Sequence, residues 1–145
     1  MRNKTKIVSN QGWVNPIGAA KAVKSILKEL GRSDVKVAAI SGSVICDYTD
    51  VLTGLIMETG ESIDSIKDEV VSVEVYLGAD TIVEALRNGA DIVITGRIAD
   101  PSLFLGPMIH EFDWTTADIY QIGKGSGVVH LLECRAQEPG GYFID

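Results

Sequence analysis

The sequence has few cysteines and no long hydrophobic run. Its two cysteines, Cys46 and Cys134, lie far apart and have no CxxC spacing. This usage favours two buried, reduced thiols in a cytoplasmic protein over a disulfide. No stretch approaches the roughly 18 consecutive apolar residues that a membrane-spanning helix needs. The first ten residues carry charge without the apolar segment of a secretory signal. We therefore expect a protein that neither crosses a membrane nor is secreted.

Positive charge is also scarce. The 145 residues include 13 Lys and Arg against 20 Asp and Glu, which gives a net charge of -7. An acidic chain without a basic stripe is a poor match for nucleic acid or an anionic membrane surface, so we expect neither as a partner. With 46% hydrophobic and 23% charged residues, the chain is typical of a globular protein. Its length predicts one domain, residues 1–145, with a substantial core.

The middle of the chain alternates between strand and helix patterns. Residues 70–75 are rich in β-branched side chains and predict a strand. A helix then follows, with Asp80 as its N-cap, apolar positions at helical spacing, and Gly89 at a left-handed C-terminal position. Residues 91–95 are almost wholly apolar, which favours a central strand covered on both faces. Together these elements predict a βαβ unit with parallel strands.

Two more strands are predicted before this unit. Residues 6–9 and 35–40 have strand patterns, and the helix between them begins at Asn15-Pro16 and ends at Gly31. The fold class is therefore α/β: a mainly parallel sheet with helices on both faces, Rossmann-like and three-layered, without a dinucleotide fingerprint. In such sheets ligands bind at the carboxyl ends of the strands.

The remaining segments are less regular. Residues 50–57 predict a helix, and residues 67–69 a solvated turn. A helix beginning at Pro101 should kink or restart near Gly106, because Pro107 lies inside its apolar pattern. Another helical piece begins at residues 114–116. Residues 123–127 predict a glycine-rich hinge before a final helix over 128–136, and residues 142–144 predict a strand. The glycine cluster does not have the spacing of a nucleotide-binding loop.

The strongest candidate site follows the apolar strand at residues 91–95. Gly96 allows close backbone approach to a ligand, and Arg97 can hold a carboxylate or phosphate with two parallel hydrogen bonds. The helix that begins at Pro101 would add free N–H groups and partial positive charge. The structural alternative is that Asp100 caps that helix while Arg97 pairs with it or with a neighbouring acid.

Three other sets of polar residues have both functional and structural interpretations. Asn10 and Asn15 flank a turn at the same edge of the sheet, where they can contact a substrate, although Asn15 also suits a helix cap. His130, Glu133 and Cys134 share one helix face, and His130 beside Glu133 could form a general base. Burial in a helix packing face is the alternative for His130. His110 and Glu111 are expected to close a helix end or an interface.

Nearly the whole chain resembles the acyclic terpene utilisation protein A (AtuA-like) family. The segments that carry the likeness are residues 6–10, 15–16, 76–79, 82–86, 89–97, 100–103, 109–112, 130–134 and 140–143. Family members are longer on both sides, so the resemblance implies a fragment, a split subunit or part of a larger protein. It also implies a place in the breakdown of branched acyl or isoprenoid acids, beside acyl-CoA enzymes.

The sequence departs from the family pattern at three places, and these departures decide which residue roles can be transferred from the family to this chain. Ser41-Gly42-Ser43 stands where relatives tend to have acidic residues, Glu74 where they tend to have Asn, and Arg135 where a small residue is usual. No carboxylate or metal role is therefore transferred to the loop at residues 41–43.

These observations give two hypotheses. In the first, the chain is a segment of a catabolic enzyme, with lyase or hydratase chemistry, that acts on a carboxylate or acyl-CoA. Its expected catalytic residues are His130, Glu133 and Asp100. The expected substrate-binding residues are Asn10, Asn15, Tyr76, Gly78, Thr95, Gly96, Arg97 and Ser102. No metal ligand or cofactor is assigned. In the second, the chain is a non-catalytic subunit that forms a homo-oligomer or completes a larger assembly.

Overall fold

A computed structural model describes residues 5–45 and 54–132. The strands are β1 (Ile7–Ser9), β2 (Val37–Ile40) and β3 (Ile92–Thr95). The α-helices are α1 (Pro16–Glu29), α2 (Asp80–Arg87), α3 (Ser102–Glu111) and α4 (Ile119–Leu132), and Ile63–Glu69 forms a short 3₁₀ helix. Strands and helices alternate from β1 to α3, whereas α4 follows α3 directly and the first strand of the predicted βαβ unit, residues 70–75, is absent from this order.

The three strands form one parallel sheet in the order β1-β3-β2. Val93 of β3 lies between Val8 of β1 and Ala38 of β2, and it is fully buried. The apolar run predicted as the central strand is thus central. A strand that has neighbours on both sides and covered faces gives polar side chains no access to water, which explains the apolar composition of β3.

Helices pack around the sheet, as expected for a Rossmann-like three-layer arrangement. The core combines Val93 and Ile40 of the sheet with Ile82 and Leu86 of α2, and it also includes Ala90 and Ile98. Helix α1 packs on β2 and β3, while α3 packs on α2 and α4 on α3. The α/β fold class is confirmed.

The predicted helix ends are mostly correct. The side chain of Asn15 accepts a hydrogen bond from the Gly18 N–H at 2.9 Å and so caps α1. Gly31 and Gly89 both have positive φ angles after α1 and α2. The expectation that Asp80 is an N-cap is wrong by one residue, because Ala79 occupies that position and Asp80 is already helical.

The strand predicted over residues 70–75 does not join the sheet. Its backbone instead pairs with the loop after β2: the Ile45 N–H donates to the Val73 carbonyl, and the Val75 N–H donates to the Ser43 carbonyl. Glu74 makes only an isolated antiparallel bridge. Val71 is 97% exposed, so the β-branched composition here does not reflect burial. Tertiary context has overridden the local strand preference.

The segment before it also differs from its prediction. Residues 50–53 of the predicted helix lie outside the described residues, and Leu55 forms an isolated bridge to Ser62 rather than a helical turn. Lys67 lies in the exposed 3₁₀ helix, where a solvated turn was expected.

Helix α3 runs through Pro107 as a single element, so the predicted restart near Gly106 does not occur. A Cβ at Gly106 would lie 2.7 Å from the Ile82 Cγ2 atom, so glycine at this position permits close packing of α3 on α2. Proline removes one backbone hydrogen bond from α3, but tertiary packing rather than propensity supplies most helix stability in proteins.

Residues 123–127 lie inside the single helix α4, and the predicted hinge between two helices is wrong. Gly125 is buried, and a Cβ there would approach Trp114 and Leu105 at 3.0 and 3.2 Å. Close packing therefore explains one glycine of the cluster. Residues 133–136 of the predicted final helix, the strand at 142–144, Cys46 and Cys134 lie outside the described residues. No helix within the described ranges is both long and apolar enough to cross a membrane.

Candidate functional site

Three loops meet where the strands end. The turn after β1 joins the end of β3 through a hydrogen bond from the Gly12 N–H to the Thr95 carbonyl at 3.1 Å. The loop after β2 joins it through the buried Ser43 hydroxyl, which accepts from the Arg97 N–H at 3.3 Å. The Leu77 N–H then donates to the Arg97 carbonyl. The carboxyl edge of the sheet is thus a junction of distant segments, as the parallel topology predicts.

Gly96 is required at this junction by the protein's own packing. A Cβ on Gly96 would lie 2.6 Å from the Ser43 hydroxyl oxygen and 2.8 Å from the Trp13 carbonyl oxygen. Such distances are shorter than ordinary contacts, so the loops after β1 and β2 can approach β3 only because residue 96 has no side chain. The close backbone approach expected here is made by the chain itself.

The Arg97 guanidinium lies close to two aromatic rings. Its Cζ atom is 4.9 Å from the centroid of Trp13 and 5.0 Å from the centroid of Tyr76. Its Nη2 atom also donates a hydrogen bond to the Tyr76 hydroxyl at 2.6 Å. Cation–π contacts of this kind contribute roughly 0.5–2 kcal/mol each, depending on desolvation. The two rings and the Tyr76 hydroxyl therefore restrict where Arg97 can present its remaining donors.

Glu74 pairs with the Nε end of the same guanidinium. Its Oε2 atom lies 3.6 Å from Arg97 Nε, too far for a hydrogen bond, and it has no hydrogen-bond partner within the described residues. The side chain of Glu74 is 14% exposed and that of Arg97 is 34% exposed. Arg97 thus pairs with a neighbouring acid, as the structural alternative held, but it is not enclosed by that pair.

A cavity of about 280 Å³ opens beside the guanidinium. It is lined by Asn10, Gln11, Trp13, Tyr76, Gly96, Arg97, Ile98 and Asp100. Arg97 is the one cation among these lining residues and Asp100 the one carboxylate. No hydrogen bond of Arg97 Nη1 is made within the described part of the chain. The cavity therefore combines a free guanidinium edge with amide, phenol and carboxylate groups.

Asp100 faces this cavity and does not cap α3. Its Oδ1 atom accepts a long hydrogen bond from Asn10 Nδ2 at 3.4 Å. The N-cap residue of α3 is Pro101, and no side chain in the described ranges caps that helix. The N–H groups of Ser102, Leu103 and Phe104 already donate to carbonyls of the same turn. The N–H groups that were expected to be free at the start of α3 therefore already donate hydrogen bonds within the chain.

Some predicted substrate-binding residues lie outside the cavity lining. Asn15 caps α1, and Thr95 is fully buried with its hydroxyl donating to the Gly96 carbonyl. Ser102 is the first residue of α3 and is buried. Gly78 precedes α2, where its carbonyl accepts from the Thr81 hydroxyl. Of the substrate-binding set, Asn10, Tyr76, Gly96 and Arg97 share the cavity, together with Asp100.

The predicted catalytic pair at the C-terminal end is not assembled by the described residues. His130 is exposed on α4 and is not among the cavity-lining residues, and Glu133 lies outside the described chain. The assignment of His130 stays a prediction. His110 lies in the last turn of α3, where it was expected.

Four contributors to the site were not predicted as site residues: Trp13, Gln11 and Ile98 of the cavity lining, and Glu74. Trp13 has a positive φ angle of 44° in the turn after β1, a conformation that no local pattern indicates for tryptophan. Its place in the turn that follows a parallel strand, three residues after Asn10, was the available signal.

Metal-ligating side chains do not cluster here. Across residues 5–45 and 54–132, no group of three or more His, Cys, Asp or Glu side chains is placed to hold a metal ion.

Comparison with known proteins gives one match. A family model described as "Acyclic terpene utilisation family protein AtuA" matches residues 1–145. No curated protein and no solved structure matches the chain. The match covers every element of the sheet and every residue of the cavity.

Proposed function

Because the chain belongs to the acyclic terpene utilisation (AtuA) family, we propose that the cavity beside Arg97 binds a small organic carboxylate formed in the breakdown of branched or isoprenoid acids. The family supplies the metabolic setting, and the cavity supplies the binding chemistry. A free carboxylate supplies the anionic group that this binding chemistry needs, and a thioester would need a second, free carboxylate to use it.

The observation that carries the proposal is the presentation of the guanidinium. Two rings and a phenol hydroxyl contact the Arg97 guanidinium, and its Nη1 atom has no hydrogen-bond partner within the described residues. A planar guanidinium edge matches the two oxygens of a carboxylate, and a charged hydrogen bond of this kind contributes roughly 1.5–3 kcal/mol. Preorganisation of the side chain lowers the entropy cost of binding.

The chemistry proposed is of the lyase or hydratase class. Such reactions need a group that can accept a proton beside the bound substrate, and Asp100 is the carboxylate that lines the cavity. In this proposal Arg97 orients the carboxylate of the substrate. Asn10 positions the Asp100 side chain through the hydrogen bond between Asn10 and Asp100.

Titration calorimetry with butyrate tests the binding step. Arg97→Ala should weaken butyrate binding at least about tenfold, since it removes a charged hydrogen bond. Arg87→Ala is the matched control, because Arg87 is exposed, pairs with Asp113 and does not line the cavity. Equal affinity of the Arg97→Ala variant and the parent protein would refute the proposed role of Arg97.

A second candidate function is that of an interaction subunit. Within the described residues, β1 and β2 each pair on one side only, and a groove of about 710 Å³ follows the outer edge of β2 between Lys24 of α1 and Glu84 of α2. Unpaired strand edges are templates for further pairing. Size-exclusion chromatography with light scattering at two concentrations tests this function: a monomer at both would argue against a homo-oligomer.

A further inference from the structure

The cavity beside Arg97 presents features that define a narrower ligand class. Building on the proposed function, we infer that the cavity selects a short hydroxy acid with a single negative charge, whose carboxylate lies on Arg97 and whose hydroxyl lies on Asp100. The inference rests on the charge, the hydrogen-bond acceptors and the size of the cavity.

The charge of the site favours a monoanion. Arg97 is the one cation among the described lining residues, and Glu74 already lies 3.6 Å from its Nε atom. Asp100 adds a second carboxylate near the same guanidinium. A ligand with two negative charges, such as a dicarboxylate or a phosphate dianion, would place its extra charge close to Glu74 and Asp100 without a second cation to offset it.

The hydrogen-bond acceptors favour a ligand that also donates. A carboxylate accepts hydrogen bonds and cannot donate them. Asp100 is exposed and lines the cavity, and its one hydrogen bond within the described residues is the long contact from Asn10 at 3.4 Å, so it has acceptor capacity left for a ligand. A simple fatty acid would bring only acceptors to this carboxylate. A hydroxyl on the ligand supplies the donor, and the Asn10 amide can bond to the same hydroxyl.

The size of the cavity favours a short chain. Its volume of about 280 Å³ is below the usual range of roughly 300–1,000 Å³ for pockets that bury drug-sized ligands. A four- or five-carbon acid fits this space. The bulk of a coenzyme A group would have to extend outside the cavity.

Calorimetry with four matched probes tests the inference: butyrate, 3-hydroxybutyrate, 3-aminobutyrate and succinate. The parent protein should bind 3-hydroxybutyrate about tenfold more tightly than butyrate, and succinate more weakly than either. Asp100→Ala should bring the ratio of the first two affinities close to one. The control Asp113→Ala changes an exposed carboxylate remote from the cavity lining and should leave that ratio intact. Glu74→Gln should improve succinate binding relative to butyrate.

Other outcomes separate the two proposals. If butyrate binding depends on Arg97 but 3-hydroxybutyrate has no advantage, or keeps its advantage in Asp100→Ala, the hydroxy-acid inference is overturned and the carboxylate site stands. Tighter binding of 3-aminobutyrate, or of succinate, than of 3-hydroxybutyrate also overturns it, in favour of an ammonium group or a dianion. If none of the acids binds the parent protein, both proposals fail.

Discussion

The two ends of the parallel sheet each carry an acid paired with a base, but the pairs differ in how fully they are satisfied. At the amino end, Asp91 Oδ1 accepts from Lys6 Nζ at 3.0 Å, and its Oδ2 accepts from the Lys36 N–H at 3.0 Å. Lys6 also donates to the Ala90 carbonyl. Asp91 thus links residues at the starts of all three strands, and every oxygen of its carboxylate has a partner.

At the carboxyl end, the corresponding pair is incomplete. Glu74 Oε2 lies 3.6 Å from Arg97 Nε and has no hydrogen bond within the described residues, and Arg97, whose Nη1 atom has no partner there either, lines a cavity. An ion pair whose hydrogen-bonding groups are all satisfied holds strands together, whereas an ion pair with unsatisfied groups can still bind a ligand. The amino end of this small sheet therefore carries a structural ion pair, and its carboxyl end carries a candidate binding site.

The largest effect is expected at Gly96. Gly96→Ala should lower the free energy of unfolding by about 1–3 kcal/mol and weaken butyrate binding, because the new Cβ forces Ser43 and the turn at Trp13 away from β3. Gly127→Ala is the control: a Cβ there meets nothing within 4 Å, and alanine should stabilise α4 by roughly 0.5–1 kcal/mol. Urea denaturation measures both. An unchanged Gly96→Ala stability would mean that the junction is looser than described.

A smaller effect is expected at the amino end. The Lys36 backbone N–H and then the Lys6 ammonium lower the pKa of Asp91 below its ordinary value of 3.8. The ionised form therefore stabilises the fold above about pH 4, and this contribution is lost as the pH falls through the lowered pKa. Asp91→Asn should cost about 1 kcal/mol at neutral pH and flatten the acid limb of the stability profile, while butyrate affinity stays constant. A loss of affinity would contradict the separation of the two ends.

A substitution of similar cost to stability, at Asn15, tests where the site ends. Asn15 lies near the cavity in sequence but caps α1, so Asn15→Ala should lower the free energy of unfolding by about 1 kcal/mol without changing ligand affinity. Asn15→Ser should recover most of that stability, since serine also caps helices well. Weaker butyrate binding in both variants would instead return Asn15 to the substrate-binding residues, where the sequence pattern first placed it.

Elements with a strong local pattern were predictable from the sequence. The apolar residues of β3, the proline after Asn15 and the glycines after α1 and α2 each have a direct local cause, and the structure confirms all of them. Parallel topology then placed Arg97 at the carboxyl edge, which is also confirmed.

The failures come from contacts between distant segments. Residues 70–75 have the composition of a strand, but the place beside β3 is taken by β1 and β2, and so Glu74 lies against Arg97 instead. The glycines of α4 suggested a hinge because the local pattern does not show that Trp114 and Leu105 need the space at Gly125. Trp13 reaches Arg97 only through the turn after β1, across 84 residues of sequence.

The two tryptophans offer the most direct test of the central claim. The Trp13 ring lies 4.9 Å from the Arg97 Cζ atom, whereas Trp114 stacks on Phe112 at 5.4 Å and does not line the cavity. In a ¹⁵N–¹H correlation spectrum of the intact chain, butyrate should shift the indole N–H resonance of Trp13 in a saturable manner and leave that of Trp114 in place. An unmoved Trp13 resonance at saturating butyrate, or equal shifts of both indoles, would contradict a carboxylate site at Arg97.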